Sequence, residues 1–389
     1  MKNAVIKTVL PFILVAAILL SACNSPLHPQ LLGEYLQDLF IANGIVLDSN
    51  DFFEPEEEPY MAYAKMLNLI PDTYRSDMRI SEGVAESIEE ELLSVKDLLY
   101  IDGLYGKIDM HEHYRTDGNI DNFLKAAGCF GITKVLFVPT ASGPDNAGYE
   151  AIWDSLIIKA TKDYPGRIIP YCSVDEADPN AAEIVEKYIL QGAKGLKLMG
   201  GHPEFYDEPM NSPNMYKVYE VVDKYDIPVL LHGSIINIEG LEEQLDQAYG
   251  DFPDVTFVHA HYASTIMSGI NLKKCAALMD KHPNLYIDLS MGGGIARYHK
   301  YLKQDLDKIR DFVIEYQDRI LFGSDIILRR QSNSFDFLYE RIRCDIDLHE
   351  KEAYTCEYGE SDWEHKGFNL SDEILRKLYY DNPKKVLGY

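Results

Sequence analysis

The sequence predicts an α/β protein: a TIM-like (β/α)8 barrel carried behind an N-terminal helical extension. Three observations predict it. From Gly106 to the C-terminus, short apolar runs of strand character alternate with amphipathic segments of helical spacing, and eight such pairs can be counted. The 389-residue chain is 46% hydrophobic, enough for one large core. No glycine-rich phosphate loop opens the first helix, as a dinucleotide-binding open sheet would require.

The elements run as follows. Residues 1–22 carry two lysines, Lys2 and Lys7, then an apolar run from Val9 to Leu20 broken only by Pro11. That run is short for a membrane-spanning helix and suits a secretory leader. It ends Leu20-Ser21-Ala22-Cys23, small residues before a cysteine, which resembles the lipobox of bacterial lipoproteins. The resemblance implies cleavage before Cys23 and lipidation of its thiol. It also implies a mature chain anchored in the bacterial cell envelope, at the outer membrane if there are two, since Asn24 rather than aspartate follows the cysteine. An ordinary secretory leader cleaved nearby is the other reading.

Residues 23–105 read as the extension, with helical spacing at Leu31–Ile41 and Val84–Leu99. Between them lies the acidic stretch Asp51–Pro59, read as a solvated loop, with a calcium site as the weaker reading. The net charge is -26, and losing the leader would remove two lysines and make it more negative. Such a chain repels phosphate backbones and anionic headgroups, so nucleic acid is not an expected partner and the lipid would have to supply the anchoring. Six cysteines do not make a disulfide scaffold. Cys344 and Cys356, in a polar stretch read as a loop, are the expected disulfide, and Cys172 is an expected buried thiol.

In the barrel (106–389), strands are expected at Lys107–Met110, Val135–Pro139, Ile168–Ser173, Gly195–Met199, Val229–His232, Thr256–His259, Leu285–Leu289 and Ile320–Phe322. Helices are expected at Ala181–Gln191, Met215–Tyr225, Leu241–Tyr249, Leu272–Lys281 and Leu302–Tyr316. Residues 344–369 read as a polar insertion after the eighth strand, a candidate lid. Near the end, Asn382 reads as an N-cap with Pro383 in the first helical turn.

Chemistry gathers at the strand ends. The first strand ends Asp109-Met110-His111-Glu112-His113, and simple alternation puts Asp109, His111 and His113 on one face and Glu112 on the other. The fifth ends at His232, the sixth at His259-Ala260-His261 and the eighth at Gly323-Ser324-Asp325. Catalytic residues of this fold come from that rim. Histidines and a carboxylate converging there suit zinc, with manganese or iron also open. His259 shares the parity of His261 one pleat deeper and reads as a supporting histidine. His202 follows the fourth strand and could reach the site. Arg297, Arg329 and Arg330 could bind a substrate carboxylate or pair with surface acids.

These motifs resemble the amidohydrolase superfamily, specifically the amidohydrolase-related hydrolases that also include non-oxidative decarboxylases. The resemblance spans about 106–389. It rests on His111-x-His113, Gly195-Leu196-Lys197-Leu198, Pro228-Val229-Leu230-Leu231-His232, Ala260-His261, Arg319–Asp325 and Asp381–Gly388. It implies a divalent metal held by His111, His113, His232 and Asp325, with Asp325 as general base and His261 polarising the substrate or steadying the attacking oxygen. Lys197 matches the lysine that is carboxylated and bridges two metals in binuclear members. One metal is the favoured reading here. The implied function is hydrolysis of an amide, ester or lactone-type bond of a small molecule. A decarboxylase on the same ligands, and a non-catalytic binding lipoprotein, are the alternatives.

Overall fold

The chain divides into two units, Met1–Tyr105 and Gly106–Tyr389. The computed structural model describes residues 106–114, 118–139, 157–202, 207–233, 235, 238–264, 272–291, 295–328, 334–356 and 364–388, all in the second unit. The leader, Cys23, the expected helices at 31–41 and 84–99 and the acidic stretch lie outside the described residues, as do Arg329, Arg330 and the side chain of Arg297. No helix among the described residues is long and apolar enough to cross a membrane.

Nine strands form one parallel sheet. They are β1 (Lys107–Tyr114), β2 (Ile132–Pro139), β3 (Ile168–Ser173), β4 (Gly195–Gly201), β5 (Val229–Gly233), β6 (Phe257–His259), β7 (Leu285–Asp288), β8 (Ile320–Leu321) and β9 (Ile327–Leu328). Their order is β8-β7-β6-β5-β4-β3-β2-β1-β9. The two outermost strands are therefore consecutive in the chain, and the link between them closes the ring. Met110 N–H donates to the Phe322 carbonyl (2.9 Å), Asp325 N–H to that of His111 (2.8 Å) and His113 N–H to that of Ile326 (3.2 Å). The eighth strand thus pairs with β7 below and with β1 above, and residues 322–326 form the closing corner.

A helix follows each of the first seven strands and another follows β9: α1 (Ile120–Gly128), α2 (Ile158–Asp163), α3 (Ala181–Leu190), α4 (Pro213–Lys224), α5 (Leu241–Asp251), α6 (Leu272–Lys281), α7 (Ile295–Glu315) and α8 (Phe335–Glu350). Side-chain caps start three of them by satisfying an otherwise orphaned amide. Asn119, Ser212 and Ser334 accept from the amides of Asn122, Met215 and Phe337. α7 begins seven residues earlier than the spacing suggests and kinks at Asp305 (φ -134°, ψ 24°).

The barrel interior is plugged by alternate strand residues, among them Met110, Leu136, Tyr171, Leu230, Val258 and Leu321. Each contributes roughly 1.5–3 kcal/mol by leaving water. The opposite parity faces the helices: Phe257 packs edge-on against Tyr219 of α4 and tilted against Tyr249 of α5. An apolar plug leaves polar side chains one place to converge, the C-terminal rim.

Four expectations are corrected. Cys344 does pair with Cys356, Cα atoms 5.5 Å apart, but it sits in a helix rather than a loop. The buried Leu338, Ile342 and Ile346 recur at helical spacing on α8, a signal masked in sequence by the charges interleaved with them. The segment 344–369 is accordingly the end of α8 and a hairpin of β10 (Ala353–Thr355) with β11 (Glu364–Lys366), followed by the approach to α9 (Asp372–Arg376). Asn382 is not an N-cap: its backbone is helical and its amide donates to the carbonyls of Gln317 (2.8 Å) and Ile320 (2.9 Å), pinning the entry to β8. Pro383 does stand in the first turn of α10 (Asn382–Val386).

The fourth correction concerns β1. Asp109 pairs with Val135 but Glu112 with Phe137, three residues against two, so the strand carries a bulge. Alternation breaks there. Asp109 does not share the face of His111 and His113 but turns toward Ser324 and Glu112 at the seam with the eighth strand.

Candidate metal centre at the barrel rim

The bulge delivers both histidines of β1 to the same point. His111 Nε2 and His113 Nε2 are 3.2 Å apart. Asp325 Oδ1 from the closing corner lies 3.2 Å from His113 Nε2 and 3.7 Å from His111 Nε2. Neighbouring ligands of a tetrahedral zinc with bonds of about 2.0–2.1 Å are separated by roughly 3.3–3.4 Å. The three edges measured here straddle that value, so these donor atoms fit a divalent ion.

The close approach of the eighth strand needs Gly323. A Cβ there would lie 2.7 Å from that of His111. Asp325 itself adopts a left-handed backbone (φ 47°), as do His261 (φ 58°) and Tyr262 (φ 52°). Such conformations are costly for residues with a side chain and persist where surrounding contacts over-determine them.

A buried carboxylate orients the first histidine. Asp288, at the end of β7, accepts from His111 Nδ1 (2.6 Å), from Ser290 N (2.7 Å) and, more weakly, from His261 N (3.4 Å). With its proton on Nδ1, His111 turns the Nε2 lone pair to the cluster. Burial alone would raise the Asp288 pKa, but the imidazoles of His111 and His261 hold it below the usual range. Burial, with a further push from Lys197, lowers His111 to about 4, so it is neutral near pH 7, the form that ligates metal. His113 is also lowered by burial, and its Nδ1 is buried with no hydrogen-bond partner. Asp325 is fully desolvated, yet His111, His261 and His113 together keep it ionised, well below the ordinary value.

His261 stands across the cluster from His113. Its Nδ1 donates to the Ser290 carbonyl (3.2 Å), with the Ser290 hydroxyl 2.8 Å away, and its Nε2 lies 3.7 Å from Asp325 Oδ2. Its ring stacks on His111 at 5.1 Å between centroids. Among the described residues, the donor groups of three whose atoms lie within 4.8 Å of one another are His111–His113–Asp325 and His111–His261–Asp288. His232 belongs to neither. It sits beyond His261, ring centroids 4.9 Å apart, and its own neighbour is His202 at 4.7 Å. Burial, with His261, Lys197 and His202, keeps it neutral.

Lys197 reaches the cluster from β4, its Nζ donating to His111 Nε2 at 3.1 Å, and burial lowers it to about 8. Lys194, just before the strand, is exposed and donates its backbone amide to the Pro170 carbonyl. Glu176 shapes the end of β4 by accepting from Met199 N (2.6 Å) and Gly200 N (2.8 Å), and the turn that follows carries His202. Contrary to its expected parity with His261, His259 faces the helix layer. It bonds Tyr249 Oη (3.2 Å) and the Gly233 carbonyl (2.8 Å), steadying the residue after His232.

Glu112 points away from the donor cluster, as alternation beyond the bulge requires, and bonds Ser324 Oγ and Ile326 N. Burial, reinforced by Asp109, raises it well above the carboxylate range. Sequence reading missed Asp288, Ser290 and Arg341. Asp288 carried one legible signal, an acid closing an apolar strand at the same rim; the other two act through contacts that only the folded chain makes.

A (β/α)8 barrel with a histidine–carboxylate cluster at its C-terminal rim is the architecture so defined. The chain belongs to the amidohydrolase family, whose sequence profile matches residues 108–389. No curated protein matches it in sequence. Its fold is similar to that of an uncharacterised TIM-barrel protein from Bordetella bronchiseptica, with 17% identity over 72% of this chain and 98% of that one (TM-score 0.51). A candidate 2-pyrone-4,6-dicarboxylic acid hydrolase from Pseudomonas putida is similar at 16% identity, 73% and 98% coverage and a TM-score of 0.50. A 2,6-dihydroxybenzoate decarboxylase, solved with 2,6-dihydroxybenzoate, is similar at 14% identity, 73% and 99% coverage and a TM-score of 0.50. At these identities the likeness shows the fold.

Proposed function

We propose that the chain is a metal-dependent hydrolase that adds water to an amide, ester or lactone-type carbonyl of a small molecule, using one divalent ion, preferably zinc. The observation that carries the reading is the donor spacing: two imidazole nitrogens and a carboxylate oxygen separated by about the edge length of a tetrahedral zinc site, with the second carboxylate oxygen facing His261. His111, His113 and Asp325 would hold the ion, with His232 as the further ligand that the family pattern implies. A zinc ion there supplies an acidified water and polarises the carbonyl. Asp325, held ionised, takes the water's proton and returns it to the leaving group. His261, oriented through Nδ1 by Ser290, offers Nε2 to the oxygen on which charge develops. Lys197, whose amine reaches His111 Nε2 at 3.1 Å, would in the one-metal reading act as a neighbour of the site and not as a bridge between two ions.

The test measures metal content and turnover over a panel of lactones, amides and aromatic carboxylates, scoring hydrolysis products and CO₂ separately. Asp325→Asn should retain much of the metal and lose ~10²–10⁴ in rate, whereas His111→Ala should lose the metal first. Normal turnover by metal-loaded Asp325→Asn would reject its role as base. Release of CO₂ without hydrolysis would assign the decarboxylase reading, and no turnover on any compound would favour a binding protein.

We further propose that Cys23 is lipidated and holds the mature chain in the bacterial cell envelope. The motif Leu20-Ser21-Ala22-Cys23 supports it, as does the Cys344–Cys356 disulfide, a bond that persists in oxidising compartments. Labelled fatty acid should enter the intact protein and not Cys23→Ala; equal labelling of both would sink the idea.

A further inference from the structure

The corner bearing Asp325 and the one bearing Ser290 are the ends of different strands, and nothing in the covalent chain fixes their spacing. Among the described residues, one side chain donates to a backbone carbonyl at each of them. Arg341, on α8, is 2% exposed, and one of its terminal nitrogens, Nη2, donates to the carbonyls of Ser324 (2.7 Å) and Met291 (3.0 Å). Ser324 immediately precedes Asp325. Met291 immediately follows Ser290, whose carbonyl and hydroxyl hold His261. The other terminal nitrogen, Nη1, pairs with Asp345 one turn along the same helix, which fixes the plane of the guanidinium.

We propose that Arg341 is a positioning residue that sets the gap between Asp325 and His261. The assignment of work to that pair rests on the hydrolase reading above; the positioning itself rests on the contacts just given. The geometry favours arginine over any other residue. Two carbonyls from separate strand ends need a planar donor with hydrogens to spare, and a buried cation needs a partner, which Asp345 provides. The remaining polar groups of the Asp325 corner are held from the other side: Ser324 N donates to Asp109 Oδ1 (3.1 Å), Ile326 N to Glu112 Oε1 (3.0 Å) and Asp325 N to the His111 carbonyl (2.8 Å). Arg341 braces this corner directly against the one beside His261, above the β7–β8 pairing of Leu289 N with the Leu321 carbonyl (2.9 Å) and in addition to the contact of Ser290 Oγ with His111 Nδ1 (3.3 Å). Without it the left-handed turn at Asp325 keeps its tie to β1 but loses its direct brace to the Met291 carbonyl beside Ser290. α8 is itself tethered three residues further on by the Cys344–Cys356 bond, so the guanidinium is presented from a fixed helix.

The test compares full-length wild type with Arg341→Met, Arg341→Lys and Asp345→Asn. Hydrogen–deuterium exchange without added metal should quicken by ~10-fold or more at the 323–326 and 289–291 amides of Arg341→Met, the scale of a lost charge-assisted hydrogen bond, with β3 to β5 unchanged. Unaltered exchange at both corners would overturn the proposal. Cobalt(II) alone is then added to saturation, and the visible ligand-field band is read at equal occupancy. The band should change in Arg341→Met and move back toward wild type in Arg341→Lys, which keeps a buried cation. A lower unfolding midpoint with an unchanged band would mean that Arg341 supports stability only, and would overturn the positioning role. If wild type takes up no cobalt, the metal reading fails and the exchange result alone decides the fate of Arg341. If Arg341→Met does not fold, Asp345→Asn decides in its place, because it keeps the arginine and frees its plane.

Discussion

Asp288→Asn isolates the most connected buried group beside the donor cluster. The carboxylate is fully buried and accepts three hydrogens, the shortest from His111 Nδ1 at 2.6 Å. Asparagine keeps the shape but removes the charge, and it can present an N–H₂ group to His111. That would drive the imidazole proton to Nε2, where the lone pair for a metal is needed. A hydrogen bond to a charged group is worth about 1.5–3 kcal/mol. At about 1.4 kcal/mol per tenfold, that corresponds to ~10–100-fold in affinity, the range seen when outer partners of metal-ligating histidines are removed. The assay is competition for zinc against a chromophoric chelator at neutral pH, with thermal unfolding of the metal-free proteins to verify that the variant is folded. A folded Asp288→Asn with wild-type zinc affinity would refute the claim that this carboxylate sets the His111 tautomer.

Three other perturbations have defined outcomes. Glu176 is raised by burial to about 7, so it contributes stability that is present below its unfolded pKa of about 4.5 and is lost as pH rises toward 7. Glu176→Gln should therefore gain on wild type between pH 5 and 7, by up to ~1.4 kcal/mol per pH unit, and parallel denaturation curves at the two pH values would contradict it. Gly323→Ala places a Cβ 2.7 Å from that of His111 and should cost ~1–3 kcal/mol in urea unfolding; an unchanged midpoint would show that the seam can give way. Replacing Cys344 and Cys356 by serine opens a loop of sequence separation 12 and should lower stability by about 3 kcal/mol, whereas equal midpoints with and without reductant in wild type would deny the bond a role.

Where strands are alternating apolar runs bounded by turns, their limits were readable from composition alone. β3 (Ile168–Ser173) and α6 (Leu272–Lys281) coincide with the expected spans, because local pattern and tertiary burial ask for the same residues. β1 illustrates the opposite case. Its histidines were identifiable as candidates, but the bulge that turns them inward depends on register with β2, which alternation cannot encode. β9 is two residues long and is defined by its pairing with His113 and Tyr114 of β1, a tertiary contact that local pattern does not announce. The resemblance implies His232 as a ligand; its ring lies beside those of His261 and His202, and it is outside the tight trio of His111, His113 and Asp325. Ser290 and Arg341 are ordinary residues in sequence, and Asp288 shows only as an acid closing an apolar strand; their meaning comes from which carbonyl or imidazole the fold sets within reach.

The closing corner has a consequence for the time course of assembly. The bonds that tie Asp325 to the histidine strand join residues 215 and 214 apart, Ser324 to Asp109 and Ile326 to Glu112. At a synthesis rate of ~5–20 residues per second, His111 leaves the ribosome ~10–40 s before the carboxylate that completes its cluster. Loop closure makes contacts of such separation late and slow. The imidazoles of the first strand therefore wait through the making of most of the barrel, and the donor set comes into being only when the last staves reach the first. A chain stopped short of residue 325 would contain every histidine of the rim and no centre.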